Sequence, residues 1–363
     1  MTPQPGRTKR IMTLFAGLLL ILIWASGGAS AETLNAGSDT LAAAHSALVQ
    51  HYAEIEKRMG SAQAGLLEER LDDDAAALAA PEPPDGFTMA DWLARVRTVA
   101  ALDASLVEQL ASEKPLPVSR SGGLVERLFQ SHLDRTWQPF SLYVPNPLPA
   151  NPSLVILLHG NPQTEAEILS WPYFHDLADS TGTVIAAPWA RGIAGYFPPA
   201  DDDVYSVADD VAAAFNIPPS RTYLAGYSNG GYSVFKIGPL RPDRWKAIMC
   251  ISGSIVNGET ASVQRTFFSK RLYVVNGAQD DNVSPTDGAR TAGWLVGVGI
   301  DTGFYQEPKG THYLPTLIPA LNRAWHDMLA DRIYATAQAA ARAQGSGAPD
   351  TAPAPISPMR TSY

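Results

Sequence analysis

One cysteine, Cys250, stands in a chain of 363 residues. No intrachain disulfide can form, so a fold of this size must be held by an apolar core, which the 45% apolar composition can supply. Cys250 itself lies in the run Ala247-Ile248-Met249-Cys250-Ile251 and reads as a packed core thiol. Basic charge is also scarce. Lys and Arg number 27 against 36 Asp and Glu, the net charge is -9, and no basic stripe appears. Nucleic acid is therefore not an expected partner. Long apolar runs are nearly absent too. The one at Ile11–Trp24 has 14 residues, too short for a comfortable membrane span. It follows Arg7, Lys9 and Arg10 and precedes the small-residue stretch Ala29-Ser30-Ala31. Residues 1–31 thus read as a signal peptide, and the mature chain is expected in the periplasm or outside the cell, with no stable membrane span after cleavage. With no cysteine near the cleavage site, a lipoprotein is not indicated.

Residues 32–115 read as helical. Leu41, Leu48, Tyr52, Ile55 and Met59 fall on one helical face, with Thr40 as the expected cap and Gly60 as the end. A second helix carries Leu67, Leu71, Ala75 and Leu78, and Pro81 to Gly86 breaks it. Thr88 followed by Asp91 resembles a capping box ahead of a third apolar stripe, Met89 to Ala100. No catalytic cluster shows here. A pro-segment, a lid and a partner surface all fit, and His45 and His51 read as surface or packing residues.

From residue 122 the pattern changes. Leu124–Ser131 and Thr136–Val144 read as a hairpin around His132-Leu133-Asp134-Arg135. Apolar runs follow at Leu154–Leu158, Thr183–Ala187, Arg221–Ala225, Ala247–Ile251, Leu272–Val275 and Thr302–Gln306, with helix-length spacers. Strands alternating with helices imply an α/β fold over residues 122–337, a mostly parallel sheet covered on both faces, with ligands at the carboxyl ends of its strands. Residues 338–363 are rich in Ala, Pro and Ser and are expected to be disordered.

One stretch organises the rest: Gly226-Tyr227-Ser228-Asn229-Gly230-Gly231. It joins a strand-like run to a helical one. A serine on that turn needs small neighbours, projects above the sheet, and has the Asn229 N–H beside it to face an oxyanion. A serine hydroxyl needs a base, and the base needs a carboxylate to orient it. Of seven histidines only His312 and His326 follow Ser228. His326 falls in an amphipathic C-terminal helix, whereas His312 sits in a loop, Lys309 to Pro315, just past the last strand-like run. His312 is the expected base. The acids in between are Asp243, Asp280, Asp281, Asp287, Asp301, Glu259 and Glu307. Asp280 directly follows a buried strand and is preferred over its neighbour Asp281. His159-Gly160-Asn161-Pro162 closes the first buried strand, where the N–H of Asn161, or of its neighbour Gly160, is placed to be the second oxyanion donor. His159 reads as orienting that loop. Trp171, Trp189, Tyr196, Phe197, Tyr227 and Tyr313 fall in or near the strand-top loops, as acyl-pocket walls or as plain packing. Arg191 is read as pairing with Asp201, Asp202 or Asp203 in its own loop in preference to a substrate carboxylate.

These blocks, with Gln138 to Pro145, Leu158-His159-Gly160, Ala187 to Gly192, Gly277 to Asp280 and Gly310-Thr311-His312, occur in an order that resembles the α/β-hydrolase fold. The likeness extends to secreted esterases of the feruloyl esterase and polyhydroxybutyrate depolymerase type, and to the hydrolase domain of prolyl-oligopeptidase-like enzymes. The resemblance implies Ser228 as nucleophile, Asp280 as acid and His312 as base, with Asn229 and Asn161 kept as the oxyanion donors read from the loops and no metal or cofactor implied. It implies hydrolysis of small carboxylic esters, with a prolyl-oligopeptidase-like serine peptidase as the alternative. The chain departs from the pattern at Asp134-Arg135, where Asp-Gly is common, and in lacking the disulfides of many secreted depolymerases.

Overall fold

The computed structural model describes residues 31–333 apart from 81, 84–86, 113–114, 193–194 and 257. The expected signal peptide, save its last residue, and the expected C-terminal tail lie outside the described residues.

Three helices come first: α1 (Ala31–Met59), α2 (Ser61–Leu78) and α3 (Met89–Ser112). Helix α1 begins at Ala31 and not at Thr40, and it is kinked at His51. Tertiary contact overrides the local cap signal of Thr40, since buried Gly37 packs against the Arg97 stem of α3. Gly60 ends the helix as expected, with a positive φ of 92° and its N–H bonded to the Glu56 carbonyl at 2.9 Å. Thr88 accepts from the Asp91 N–H at 3.1 Å and so starts α3.

Eight strands follow in one sheet: β1 (Gly123–Gln130), β2 (Trp137–Val144), β3 (Ser153–Leu158), β4 (Thr183–Pro188), β5 (Thr222–Tyr227), β6 (Ala247–Ile251), β7 (Arg271–Gly277) and β8 (Asp301–Glu307). Between and after them run α4 (Glu165–Leu169), α5 (Pro172–Thr181), α6 (Ala200–Phe215), α7 (Asn229–Ile237), α8 (Thr260–Thr266), α9 (Pro285–Gly297) and α10 (Ile318–Leu329). The order is β1-β2-β4-β3-β5-β6-β7-β8. β1 and β2 pair antiparallel, β2 pairs antiparallel with β4, and every later pairing is parallel.

Strand β3 shows why its sequence is continuously apolar. Leu154, Ile156 and Leu158 face one core, with Val204, Val207 and Val211 of α6 and Val234 of α7. Val155 and Leu157 face the opposite core, with Phe174 and Leu177 of α5 and Leu321, Trp325 and Met328 of α10. A strand buried on both sides has no polar face to alternate with. A third core joins the N-terminal helices to the sheet: Leu48, Ile55, Leu67, Leu71, Leu106 and Leu110 pack with Leu128 of β1 and with Trp189 just past β4. Truncating one such leucine to alanine typically costs about 2–5 kcal/mol. In the β1–β2 hairpin, Arg135 takes φ 63° where glycine would be easier, and the Asp134 carboxylate accepts from the Thr136 N–H at 3.0 Å. This sheet order, with helices on both faces and a helical layer in front, is the α/β-hydrolase fold.

Candidate active site

The strand-to-helix turn comes first. Ser228 follows β5, caps α7, and has φ 52° and ψ -115°, a region that L residues rarely occupy. Its neighbours must be glycine for reasons of space. A Cβ on Gly226 would stand 2.1 Å from the Gly230 carbonyl oxygen, and one on Gly230 would stand 2.3 Å from that of Leu158. The strain holds the serine out of the helix, with 6% of its surface exposed. A small hydroxyl on a rigid turn is thus presented at the carboxyl end of the sheet.

Two loops bring its partners. Nε2 of His312 lies 2.9 Å from Ser228 Oγ, and Nδ1 lies 3.1 and 3.0 Å from the two Asp280 oxygens. The Asp280 side chain is fully buried, and its Oδ1 also accepts from the N–H groups of Asn282 at 3.0 Å and Val283 at 2.8 Å. Those bonds fix the carboxylate, and the carboxylate fixes the imidazole tautomer with its proton on Nδ1. Asp281 points to solvent. The His312 loop is tied down through the Gln279 N–H, which donates to the Gly310 carbonyl at 2.8 Å, and through the Tyr227 hydroxyl, which donates to the His312 carbonyl. The arrangement can move a proton off the Ser228 hydroxyl as it attacks a carbonyl carbon.

Gly160 packs against the serine, since a Cβ there would stand 2.9 Å from Ser228 Cβ. The His159 carbonyl accepts from the Gly230 N–H at 3.1 Å, which couples this loop to α7. The His159 ring lies 3.0 Å from the carbonyl oxygens of both Gly160 and Trp189, and the His159 backbone N–H donates to the Tyr196 hydroxyl at 2.8 Å. Its position is that of a loop anchor. Asn161 is exposed at the tip of the same loop, and Asn229 is the first residue of α7, where a backbone N–H has no intrahelical acceptor.

Other sequence candidates fall elsewhere. His326 is exposed on α10, and His45 lies 3.6 Å from Asp72. Arg191 Nε donates to Asp203 at 2.5 Å, and the same guanidinium also holds Asp134 and Ser131. Cys250 is buried in β6, and burial pushes its thiol pKa up. Trp189 and Tyr196 are buried as packing, whereas Phe197 is exposed under the Lys236 ammonium. Trp171, Tyr227 and Tyr313 do gather beside the triad. They are joined there by Trp92 of the α3 apolar stripe and by Phe87 and Arg95, which no local pattern marked. Among the described residues, no group of three or more His, Cys, Asp and Glu is placed to hold a metal ion.

No family model matches the chain, and no curated protein matches it in sequence. Among solved structures it is similar to FphF, a fluorophosphonate-binding serine hydrolase of Staphylococcus aureus, at 17% identity and a TM-score of 0.49, over 57% of this chain and 98% of that one. It is similar to a ferulic acid esterase at 17% identity and a TM-score of 0.49, over 57% and 97% of the two chains. It is also similar to dipeptidyl peptidase 4 of Porphyromonas gingivalis at 16% identity and a TM-score of 0.47, over 58% of this chain and 36% of that one.

Proposed function

We propose that this protein is a serine hydrolase that cleaves small carboxylic esters through an acyl-enzyme. The observation that carries the reading is the hydrogen-bonded line from Asp280 through His312 to Ser228, at 3.0 and 2.9 Å. His312 takes the Ser228 proton as Oγ attacks the ester carbonyl. The N–H groups of Asn229 and Asn161 donate to the developing oxyanion. His312 then gives its proton to the leaving alcohol, and a water activated by the same imidazole releases the acid. Asp280 holds the imidazolium through Nδ1. No step calls for a metal or a cofactor.

The alternative is a prolyl-oligopeptidase-like serine peptidase. The test is turnover of short-chain 4-nitrophenyl esters against proline-containing dipeptide amides, with fluorophosphonate labelling of the serine. Ester turnover and labelling, both lost in Ser228→Ala, are expected. Faster amide cleavage would transfer the reading to a peptidase, and unchanged turnover in Ser228→Ala would reject it.

We also propose export. Arg7, Lys9, Arg10 and the run that follows support it, and N-terminal sequencing of the mature protein should begin at Glu32. Among the described residues no helix is long and apolar enough to cross a membrane.

A further inference from the structure

Beside the triad lies a group of side chains that acyl transfer leaves unused. Trp171 has its ring centre 5.9 Å from that of Tyr313, the residue after His312, and 5.1 Å from that of Phe87. The Arg95 guanidinium lies 4.7 Å from the centre of the Trp171 ring and 5.9 Å from that of Trp92. Phe87, Arg95 and Tyr313 are only partly buried, so the group reaches the surface.

Its hydrogen bonding is one-sided. Arg95 Nη2 donates to the Glu167 carbonyl at 3.0 Å. Arg95 Nε, Trp92 Nε1, Trp171 Nε1 and the Tyr173 hydroxyl are buried without a partner. Such donors are rare in folded proteins, and four in one cluster call for an acceptor-rich occupant. The carboxyl groups facing Arg95 are those of Glu167 and Asp74. The Glu167 carboxylate accepts from the Thr164 N–H at 2.7 Å. Asp74 is pushed up to about 9, chiefly by burial, so it is neutral at pH 7, and its Oδ2 also lacks a partner. Among the described residues, Arg95 has no ion pair.

The location assigns the occupant. His312 hands its proton to the departing alcohol, so the substrate on the His312 side is the alcohol part. Tyr313 joins the cluster to that side. We propose that Arg95, walled by Trp92, Trp171 and Tyr313, is a specificity residue that binds a carboxylate on the leaving alcohol. The substrates are then esters made through the hydroxyl of a hydroxy acid. This assignment rests on the ester-hydrolase reading. A guanidinium over indole faces keeps its in-plane donors for a carboxylate, which is the geometry such anions take.

The test uses 4-(carboxymethyl)phenyl and 4-(2-carboxyethyl)phenyl acetates, each against its methyl ester. Every kcat/KM is divided by the hydroxide-catalysed rate of the same compound. The free acid should be preferred at least about 10-fold, mainly through KM. Arg95→Gln should bring that ratio near one, and Arg95→Lys should restore part of it. Should Arg95→Gln not fold, inhibition of the unaltered enzyme decides: 4-hydroxyphenylacetate should inhibit at least about 10-fold better than its methyl ester. Equal rates and equal inhibition would overturn the proposal, as would a preference that survives in a folded Arg95→Gln. A preference for 4-nitrophenyl monoesters of diacids alone, with the carboxylate on the acyl side, would overturn the alcohol assignment. A fluorophosphonate-labelled enzyme with no preference refutes the subsite only. An enzyme that is not labelled refutes the ester reading, and the subsite with it.

Discussion

Two buried carboxylate sites in this molecule are built in opposite ways. Asp280 receives the His312 imidazole and two backbone N–H groups, and each of its oxygens is used. At the other site one guanidinium, Arg70, serves a crowd. Its Nε donates to Asp103 at 3.1 Å and its Nη1 donates to Glu165 at 2.8 Å, with Asp74 and Glu126 close by. One oxygen each of Asp74, Glu126 and Glu165 has no partner. Burial raises the Asp103 pKa to about 6 and that of Asp74 to about 9, and drives that of Glu126 well above its ordinary value. The carboxylate beside the imidazole is given a donor for each oxygen. In the cluster that joins elements, burial favours the protonated forms of Asp74 and Glu126 instead. Arg70 and Asp74 stand on α2, Asp103 on α3, Glu126 on β1 and Glu165 on α4. The cluster therefore pins the helical layer to the sheet, next to the loop that follows β3. The layer thus shares both a buried charge cluster and an apolar core with the sheet.

The comparison can be broken by substitution. The largest effect is expected at Ser228→Ala, which should cut kcat on 4-nitrophenyl esters by at least about 10⁴-fold. Asp280→Asn should lower kcat by about 10⁴-fold while costing no more than about 2 kcal/mol in urea unfolding, because the two backbone donors keep an acceptor. Arg70→Met should do the reverse to stability, costing about 3–5 kcal/mol by the same measurement, since it strands Asp103 and Glu165 as unpaired buried acids. Equal stability losses in these two variants would erase the distinction.

Gly230→Ala should cost about 1–3 kcal/mol and lower kcat, as its methyl would displace the Leu158 carbonyl or the serine turn. A last effect concerns pH. Asp74 and Asp103 hold protons in the folded chain that the unfolded chain releases near pH 4. Their contribution is complete below that pH. It falls as pH rises through about 6 for Asp103 and toward about 9 for Asp74, by at most about 1.4 kcal/mol per pH unit for each. Melting temperature followed from pH 6 to 9 should decline, and Asp74→Asn should flatten the alkaline part. A flat profile in the unaltered protein would remove the proton-holding role.

Legibility followed sequence distance. Each strand was readable from its own apolar run, and Ser228 from glycines within two residues of it. His312 and Asp280 were found because each follows a buried strand, where a parallel sheet places its ligands. Asp280 was separated from Asp281 by the same logic, as strand exit decides which carboxylate turns inward. The start of α1 was misplaced because Thr40 reads as a local cap, whereas the helix begins at Ala31 and packs on α3. Arg95 and Phe87 carried no signal, because a cation among helical residues reads as a solvated face until an indole from another element covers it.

What the chain's local chemistry determined by itself was the set of strands, the serine turn and the residues at the strand ends. Those depend on side-chain period and on backbone space within a few residues. What only the tertiary structure decided was the docking of the helical layer and its two charged centres. Arg70 meets partners 33 and 95 residues away in sequence, and whether a buried carboxyl keeps its proton depends on what the whole fold leaves within reach of it.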